Sequence, residues 1–361
     1  MAGSSSNGPI STASSGANHS ISFSGRARRA RSTIAGVSGS VAGLAIRQTT
    51  VDITTTIGRE WTKAKDGFCL IGGSTASGKS ALALALAEAT GGVVVNADSV
   101  QLYRSLPILT AQPSASDLAR AEHRLYGILD DLAPNSVAAW LERAVATIQE
   151  VQPRLAIVTG GTGFYLEALL RGAPTTPPTP PELRARSQAR LAELGPAAFA
   201  AELQALDPQL AARGLPADPQ RRLRAWEVLT LTGRSILAWQ ASPSLPPNLP
   251  PFRGGIALVP PRDHIWPRIR QRTEAMLDAG VLAELAAWRA RPTSAASPLA
   301  KADGVVELGR YLDGTTSLDA ATEALIVKVR RYAKRQRTWL RNRLPELAQV
   351  TTPGELVRWE R

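Results

Sequence analysis

The sequence predicts an α/β protein: a parallel sheet core with a helical insertion and basic C-terminal helices. Three observations carry this. Residues 73–80 read Gly-Ser-Thr-Ala-Ser-Gly-Lys-Ser, which fits the phosphate-binding loop pattern G-x-x-x-x-G-K-[ST]. Short apolar runs alternate with helical stretches after residue 66, the rhythm of a parallel sheet. A segment bounded by two proline-rich stretches has helical character and no strand signal.

The elements follow in order. Residues 1–66 are rich in Ser, Gly and Ala, carry Arg26, Arg28, Arg29 and Arg31, and lack an apolar period, so they read as a disordered extension. Their Arg/Ser-rich, acid-poor character also resembles an organelle transit peptide, and translation from an upstream start codon is a third possibility. The preferred reading is a dispensable extension on a cytoplasmic protein. Residues 68–73 form a first apolar strand, and the Ala/Leu run 80–90, closed by Gly91 and Gly92, a buried helix. A strand, a glycine-rich turn and a helix start aim backbone N–H groups and the positive end of a helix dipole at one point. Lys79 adds a charge there, and Ser80 offers a hydroxyl to a phosphate-bound Mg²⁺. A chance match in an Ala/Gly-rich chain is the alternative.

Residues 93–98 form a second strand ending in polar groups. Residues 136–150 have helical spacing behind Asn135 or Ser136 as N-cap. A third strand at 155–159 runs into Gly160-Gly-Thr-Gly163 and a helix over 164–170. The prolines of 174–181 make a stiff hinge. Short helices fill 182–240, and a second proline-rich stretch spans 242–251. A strand near 256–259 returns to the sheet, and helices cover 266–291 and 318–344. The domain reading is a P-loop core over 67–174 and 252–361, interrupted by an insertion over 175–251.

The net charge is +12 over 361 residues, which suggests a polyanionic partner, or only general arginine richness. Cys69 is the single cysteine, so no disulfide forms within the chain. No apolar run approaches the ~20 residues of a membrane span. The three histidines show no metal-ligand spacing.

Several residues suit chemistry at the carboxyl edge of such a sheet, where ligands bind. Asp98 stands at a strand end facing the loop and suits a general base, or it caps a turn. Thr162 lies on the same edge, or caps a helix. Arg268 and Arg272, four apart, share a helix face that an anion would satisfy, or are solvated. Residues 328–343 hold eight basic residues and no acid, which favours a phosphate backbone over a merely solvated face. Gln220 to Arg224 offer amide and guanidinium groups to bases and phosphates, weakly if taken alone.

With these pieces the chain resembles the tRNA dimethylallyltransferases over about residues 67–345. The resemblance rests on 73–80, Ala97-Asp-Ser-Val-Gln-Leu-Tyr-Arg104, Thr110-Ala-Gln-Pro113, Gly160-Gly-Thr-Gly-Phe-Tyr-Leu166, Asp218-Pro-Gln-Arg-Arg-Leu-Arg224, Arg268-Ile269 and Tyr332-Ala-Lys-Arg-Gln-Arg-Thr-Trp339, in the family's order. It implies a P-loop NTPase-like fold acting on dimethylallyl diphosphate and tRNA, joining the dimethylallyl carbon to N6 of adenosine 37; apart from the resemblance, a monomer is expected. It implies Asp98 as general base. Thr75 and Arg268 would act on the diphosphate, which the loop of Gly73, Ser74, Thr75, Ala76, Ser77, Gly78, Lys79 and Ser80 holds. Asp98, Ser99, Val100, Gln101, Thr162, Gln220, Arg221, Arg222, Leu223 and Arg224 would contact tRNA, with Mg²⁺ as the metal near Ser80.

The chain departs from the family pattern at Ser74, usually Pro; at Gln112, usually Lys; at Leu340, usually Phe; and at Asp303, usually apolar. A buried, unpaired Asp303 would cost several kcal/mol or shift its pKa. Two rival readings remain: a P-loop kinase using ATP on a small hydroxylated substrate, and a non-catalytic RNA-binding relative.

Overall fold

The structure is a computed structural model that describes residues 66–351, and the reading of the N-terminal extension lies outside them. Its strands are β1 (Phe68–Gly73), β2 (Val93–Asn96), β3 (His123–Arg124), β4 (Ala156–Gly160), β5 (Ala173–Pro174), β6 (Pro243–Ser244), β7 (Phe252–Leu258) and β8 (Ala348–Val350). Six of them form a sheet in the order β3-β2-β4-β1-β7-β8, every pairing parallel.

Alternation along the strands explains why both sheet faces are covered. Phe68 and Leu70 of β1, Val93 and Val95 of β2, and Ala156 and Val158 of β4 pack into one core. Cys69, Ile71, Val94 and Ile157, one register position away, pack into the other. Period-two side chains point to opposite faces, so strands apolar at every position need helices on each side. Helix α1 (Lys79–Thr90) covers one face through Leu82 and Leu86; the short α2 (Pro107–Thr110) and α3 (Ala115–Arg120) follow it. Helices α4 (Val137–Glu150) and α5 (Gly163–Arg171) cover the other. There Trp140, fully buried, stacks on Tyr165 with ring centroids 4.3 Å apart. Such a pair contributes about 0.5–1.5 kcal/mol beyond its burial. Ser136 caps α4, its side chain accepting from the Ala139 N–H at 3.1 Å.

Helices α6 (Pro181–Leu206), α7 (Pro208–Arg213), α8 (Pro219–Thr232) and α9 (Ile236–Gln240) follow. They have an apolar cluster of their own around Phe199, Leu203, Leu210, Leu223 and Trp226. The first is in fact two helices that meet at Gly195, whose φ of 73° and ψ of 166° are not helical, just before Pro196, so this stretch is a series of short helices as expected. The proline-rich stretches on either side of these helices meet, as β5 pairs antiparallel with β6.

The helix expected over 266–291 is two, α10 (Arg262–Asp278) and α11 (Val281–Arg289), divided at Gly280, whose φ of 91° ends the first. After α12 (Val305–Leu312), the long α13 (Leu318–Arg343) spans the predicted C-terminal helix. The edge strands β3 and β8, two and three residues long, were too short to give a sequence pattern. No described helix is long and apolar enough to cross a membrane.

Candidate active site

The sheet order brings three loops together at the carboxyl ends of adjacent strands. The phosphate loop follows β1, Gly161–Gly163 follows the neighbouring β4, and Asp98 follows β2 one strand further on. From β1 the chain passes to one side of the sheet and from β4 to the other, so a crevice opens there. Within the phosphate loop, Ala76 and Gly78 take positive φ (63° and 95°), and Ser77 N–H donates to Ser74 O at 3.1 Å. Gly78 caps α1 in a left-handed conformation, which only glycine adopts without strain. The hydroxyls of Ser74 and Ser77 are buried and have no hydrogen-bond partner. Buried donors in that state suit the oxygens of a diphosphate. Lys79 is half-buried, and Ser80 is exposed on the first turn of α1.

Asp98 is held by its neighbours rather than by regular structure. The buried Asn96 side chain accepts from the Asp98 N–H at 2.8 Å and donates to the Asp98 and Leu125 carbonyls at 3.0 Å. Trp140 Nε1 donates to the Asn96 carbonyl at 3.0 Å, which ties this turn to the aromatic core. Asp98 Oδ1 also accepts from the Val100 N–H at 3.2 Å. The turn-capping reading of Asp98 is therefore met through Oδ1. Thr162 does not cap α5. Its Oγ1 accepts from the Ser99 N–H at 3.1 Å and so joins the β2 and β4 loops.

One residue at the centre of the site was not singled out in the sequence. Gln336 of α13, 5% exposed, accepts from the Thr75 N–H at 2.9 Å and from Thr75 Oγ1 at 3.3 Å, and donates to the Gly161 carbonyl at 2.9 Å. A single neutral side chain thus bridges the phosphate loop and the glycine loop. On the same face Trp339 packs so closely on Gly163 that a Cβ there would overlap its indole ring. The available signal was an uncharged Gln between Arg335 and Arg337 in an otherwise basic run.

The electrostatics place opposite charges across the crevice. Burial lowers the Lys79 ammonium to about 8, with Asp98 opposing the shift and Arg272 adding to it. Burial likewise lowers Arg272, and Asp98 opposes that too. Of the pair Arg268 and Arg272 on α10, Arg272 is thus the one that interacts with Lys79 and Asp98, while Arg268 is exposed one turn earlier. Burial raises the Tyr332 phenol; the charges of Asp98 and Asp303 add to this, and hydrogen bonds to Thr162 and Gln336 oppose it. Tyr332 is therefore neutral.

The residues expected to contact RNA are not all at the surface. Gln220 and Arg221 are exposed at the start of α8. Leu223 is 5% exposed and belongs to the core of that helical segment, so it supports the helix instead of presenting a surface. Arg224 turns onto the proline hinge, bonding Thr176 Oγ1 at 2.9 Å, the Pro177 carbonyl at 3.0 Å and Thr179 Oγ1. Arg222 Nε donates to the Pro216 carbonyl at 2.6 Å. Gln101 spends its amide on the Thr110 and Ala111 carbonyls at 3.0 and 2.7 Å.

The basic run of α13 is also less bare than its sequence suggested. Lys328 pairs with Glu307 at 3.0 Å and Arg343 with Glu167 at 2.6 Å, acids from other elements that no local reading could supply. Asp303 is half-buried, and burial raises its carboxyl as expected, but it is not unpaired: Lys328 lies 3.7 Å away and opposes the shift. As for a metal, no group of three or more His, Cys, Asp or Glu side chains among the described residues could hold one. The Ser80 hydroxyl, exposed on the first turn of α1, fits a hard cation carried mainly by phosphate oxygens, which is how Mg²⁺ is commonly bound.

Residues 101–343 match the family model of the IPP transferases, a span that begins just past Asp98. A tRNA dimethylallyltransferase of Rhodopseudomonas palustris (strain BisA53) is 47% identical over 78% of this chain and 87% of its own. One from Dinoroseobacter shibae is 46% identical over 81% and 97%. Among solved structures, the full-length tRNA isopentenylpyrophosphate transferase of Bacillus halodurans superposes with a TM-score of 0.54 at 29% identity, covering 81% of this chain and 94% of that one. A eukaryotic dimethylallyltransferase acting on tRNA shares the fold, with a TM-score of 0.67 at 22% identity over 82% and 76% of the two chains. With the match over two thirds of its length and relatives near half identical, the chain belongs to the IPP transferase family.

Proposed function

We propose that this chain transfers the dimethylallyl group of dimethylallyl diphosphate to N6 of adenosine 37, beside the tRNA anticodon. The observation that carries the reading is the crevice in which Lys79 and Arg272 interact with Asp98. A leaving diphosphate and a proton-bearing nucleophile need those charges side by side.

The phosphate-loop amides, Lys79, Arg272 and, at the rim, Arg268 bind the diphosphate, and Thr75 stands beside it, held by Gln336. As N6 bonds to the dimethylallyl carbon, the carbon–oxygen bond breaks and diphosphate leaves with the electron pair. Fixed donors placed where negative charge grows lower the barrier. Asp98 takes the proton that N6 sheds, through the oxygen that does not accept from Val100. An anticodon-loop base can be splayed from its stack into such a crevice. Ser99, Val100, Gln101 and Thr162 border the opening, and Gln220 and Arg221 extend the contact along the RNA. Ser80 would hold Mg²⁺, which when bound neutralises charge on the diphosphate. We further assign the protein to the cytoplasm, as a monomer, where a reduced Cys69 and its tRNA substrate coexist.

The test is transfer of radiolabelled dimethylallyl to unmodified tRNA with Mg²⁺, comparing wild type with Asp98→Asn. Asparagine keeps the acceptor for Val100 but takes no proton, so the rate should fall about 10²- to 10⁴-fold while tRNA binding persists. Folded wild type that leaves tRNA unlabelled would reject the reading.

A further inference from the structure

Helices α10 and α13 line a groove of about 280 Å³ that shares no lining residue with the loops of the crevice. Five cations line it, Arg262, Arg330, Arg331, Lys334 and Arg337, together with Trp266, and none of its lining residues is acidic. Arg262 and Trp266 are i and i+4 on α10. At 3.6 residues per turn, Arg268 lies roughly 120–160° around the helix from them. On α13, Tyr332, Gln336 and Trp339 take the inner face, leaving Arg330, Arg331, Lys334 and Arg337 on another. The groove floor includes Ile265 and Ala333, and the apolar cluster to which they belong packs against Ala76 of the phosphate loop.

Two further observations point to a ligand. The Nε atoms of Arg330 and Arg337 are buried without a hydrogen-bond partner, a state that buried donors rarely keep. Trp266 is 41% exposed, and the Arg330 guanidinium lies 5.0 Å from its ring centroid. Like charges crowd here: burial, then Arg341 and Arg262, pull the Arg337 guanidinium down. The concentrated positive charge calls for anions, and an exposed indole beside it offers a stacking surface for a base.

We propose that this groove seats a nucleotide of the substrate tRNA outside the target base, its phosphates on Arg331, Lys334 and Arg337 and its base against Trp266. This rests on tRNA being the substrate. The seat lies across the apolar floor from the phosphate loop, so one RNA molecule would grip both faces of α13.

The test measures binding of unmodified full-length tRNA by filter retention at several salt concentrations, without prenyl donor. Wild type is compared with Arg331→Gln/Lys334→Gln and with Trp266→Ala, the substituted positions being exposed; urea midpoints check their folding. The double variant should lower the slope of log affinity against log salt by about 1.4–1.8 and weaken binding about tenfold, the share of two phosphate contacts. Trp266→Ala should weaken binding about tenfold, with Trp266→Phe recovering most of it. Wild-type affinity and slope in both variants would overturn the assignment. So would weakened binding of inorganic phosphate with tRNA binding unchanged, which would mark a free-anion site. Binding is read apart from transfer, so failure of the prenylation assay would leave this comparison intact.

Discussion

Substituting Gly161 by Ala should destabilise the protein chiefly through one side chain, Gln336. A methyl at position 161 would overlap Gln336 Nε2, whereas Asp98 Oδ2, at 3.4 Å, would be in ordinary contact. The amide must withdraw, and with it go the bonds to the Gly161 carbonyl (2.9 Å), the Thr75 N–H (2.9 Å) and Thr75 Oγ1 (3.3 Å). Two of the groups left behind belong to the backbone. Each stranded polar group costs about 1–3 kcal/mol when buried. Thr75 is half-buried at the loop mouth, where water can reach it, so the low end applies and the expected loss is about 2–3 kcal/mol. Gln336→Ala breaks the same bonds and should cost about as much. If both act through one contact, the double variant loses about 3 kcal/mol instead of about 5, a coupling near 2 kcal/mol. Urea denaturation of the four proteins measures this, with equal m values as the check that midpoints report stability. Additivity within about 0.5 kcal/mol would refute Gln336 as the tie between the loops. A second readout separates positioning from bulk stability. Both single variants should raise KM for dimethylallyl diphosphate in fully folded protein, because the phosphate loop is no longer held at Thr75.

Two predictions concern charge. Lys79 is a cation below about 8 and neutral above it, so affinity for inorganic diphosphate should fall between pH 7 and pH 9; calorimetric titration of wild type should show this, and Lys79→Met should flatten the profile, while a flat wild-type profile would mean Lys79 does not bind the anion. Asp303→Val should change stability at pH 7 by less than about 1 kcal/mol, since Asp303 gains only a partly exposed contact with Lys328, which keeps Glu307, against its own desolvation; a loss above about 2 kcal/mol in thermal denaturation would contradict this.

How far the sequence could be read depended on the range of each signal. The sheet was legible because parallel strands covered on both faces are near-continuous apolar runs, and Gly73 to Ser80 name their own conformation. Asp98 was legible as the polar end of such a run. Gln336 was not, because it is defined by contacts 261 and 175 residues away in the chain. Nothing local distinguishes it from a surface glutamine. The same limit hid Glu307 and Glu167 as partners of the basic run, and made Asp303 look stranded. Leu223 and Arg224 show a different limit. They lie in a stretch that reads as basic and polar, yet helical periodicity turns Leu223 into the core and Arg224 onto the proline hinge. Position within a motif did not reveal the face of the helix.

The division of α13 into a neutral face and a cationic face has a physical reason. The inner face must fasten two loops with opposite electrostatic needs. The phosphate loop should attract an anion, and the β2 and β4 loops carry Asp98, which must remain able to take a proton. A lysine or arginine at position 336 would form an ion pair with Asp98 and reduce its basicity. A glutamate there would repel the diphosphate from the Thr75 side and leave the Gly161 carbonyl without a donor. An amide offers an acceptor to one loop and a donor to the other with no net charge, so it fixes the distance between them without biasing either. Tyr332, neutral because burial raises its phenol, and the indole of Trp339 satisfy the same condition. On α13 the cations left for a polyanionic substrate, Arg330, Arg331, Lys334 and Arg337, therefore lie on the outer face, while Lys328 and Arg343 on the inner side are taken up by Glu307 and Glu167.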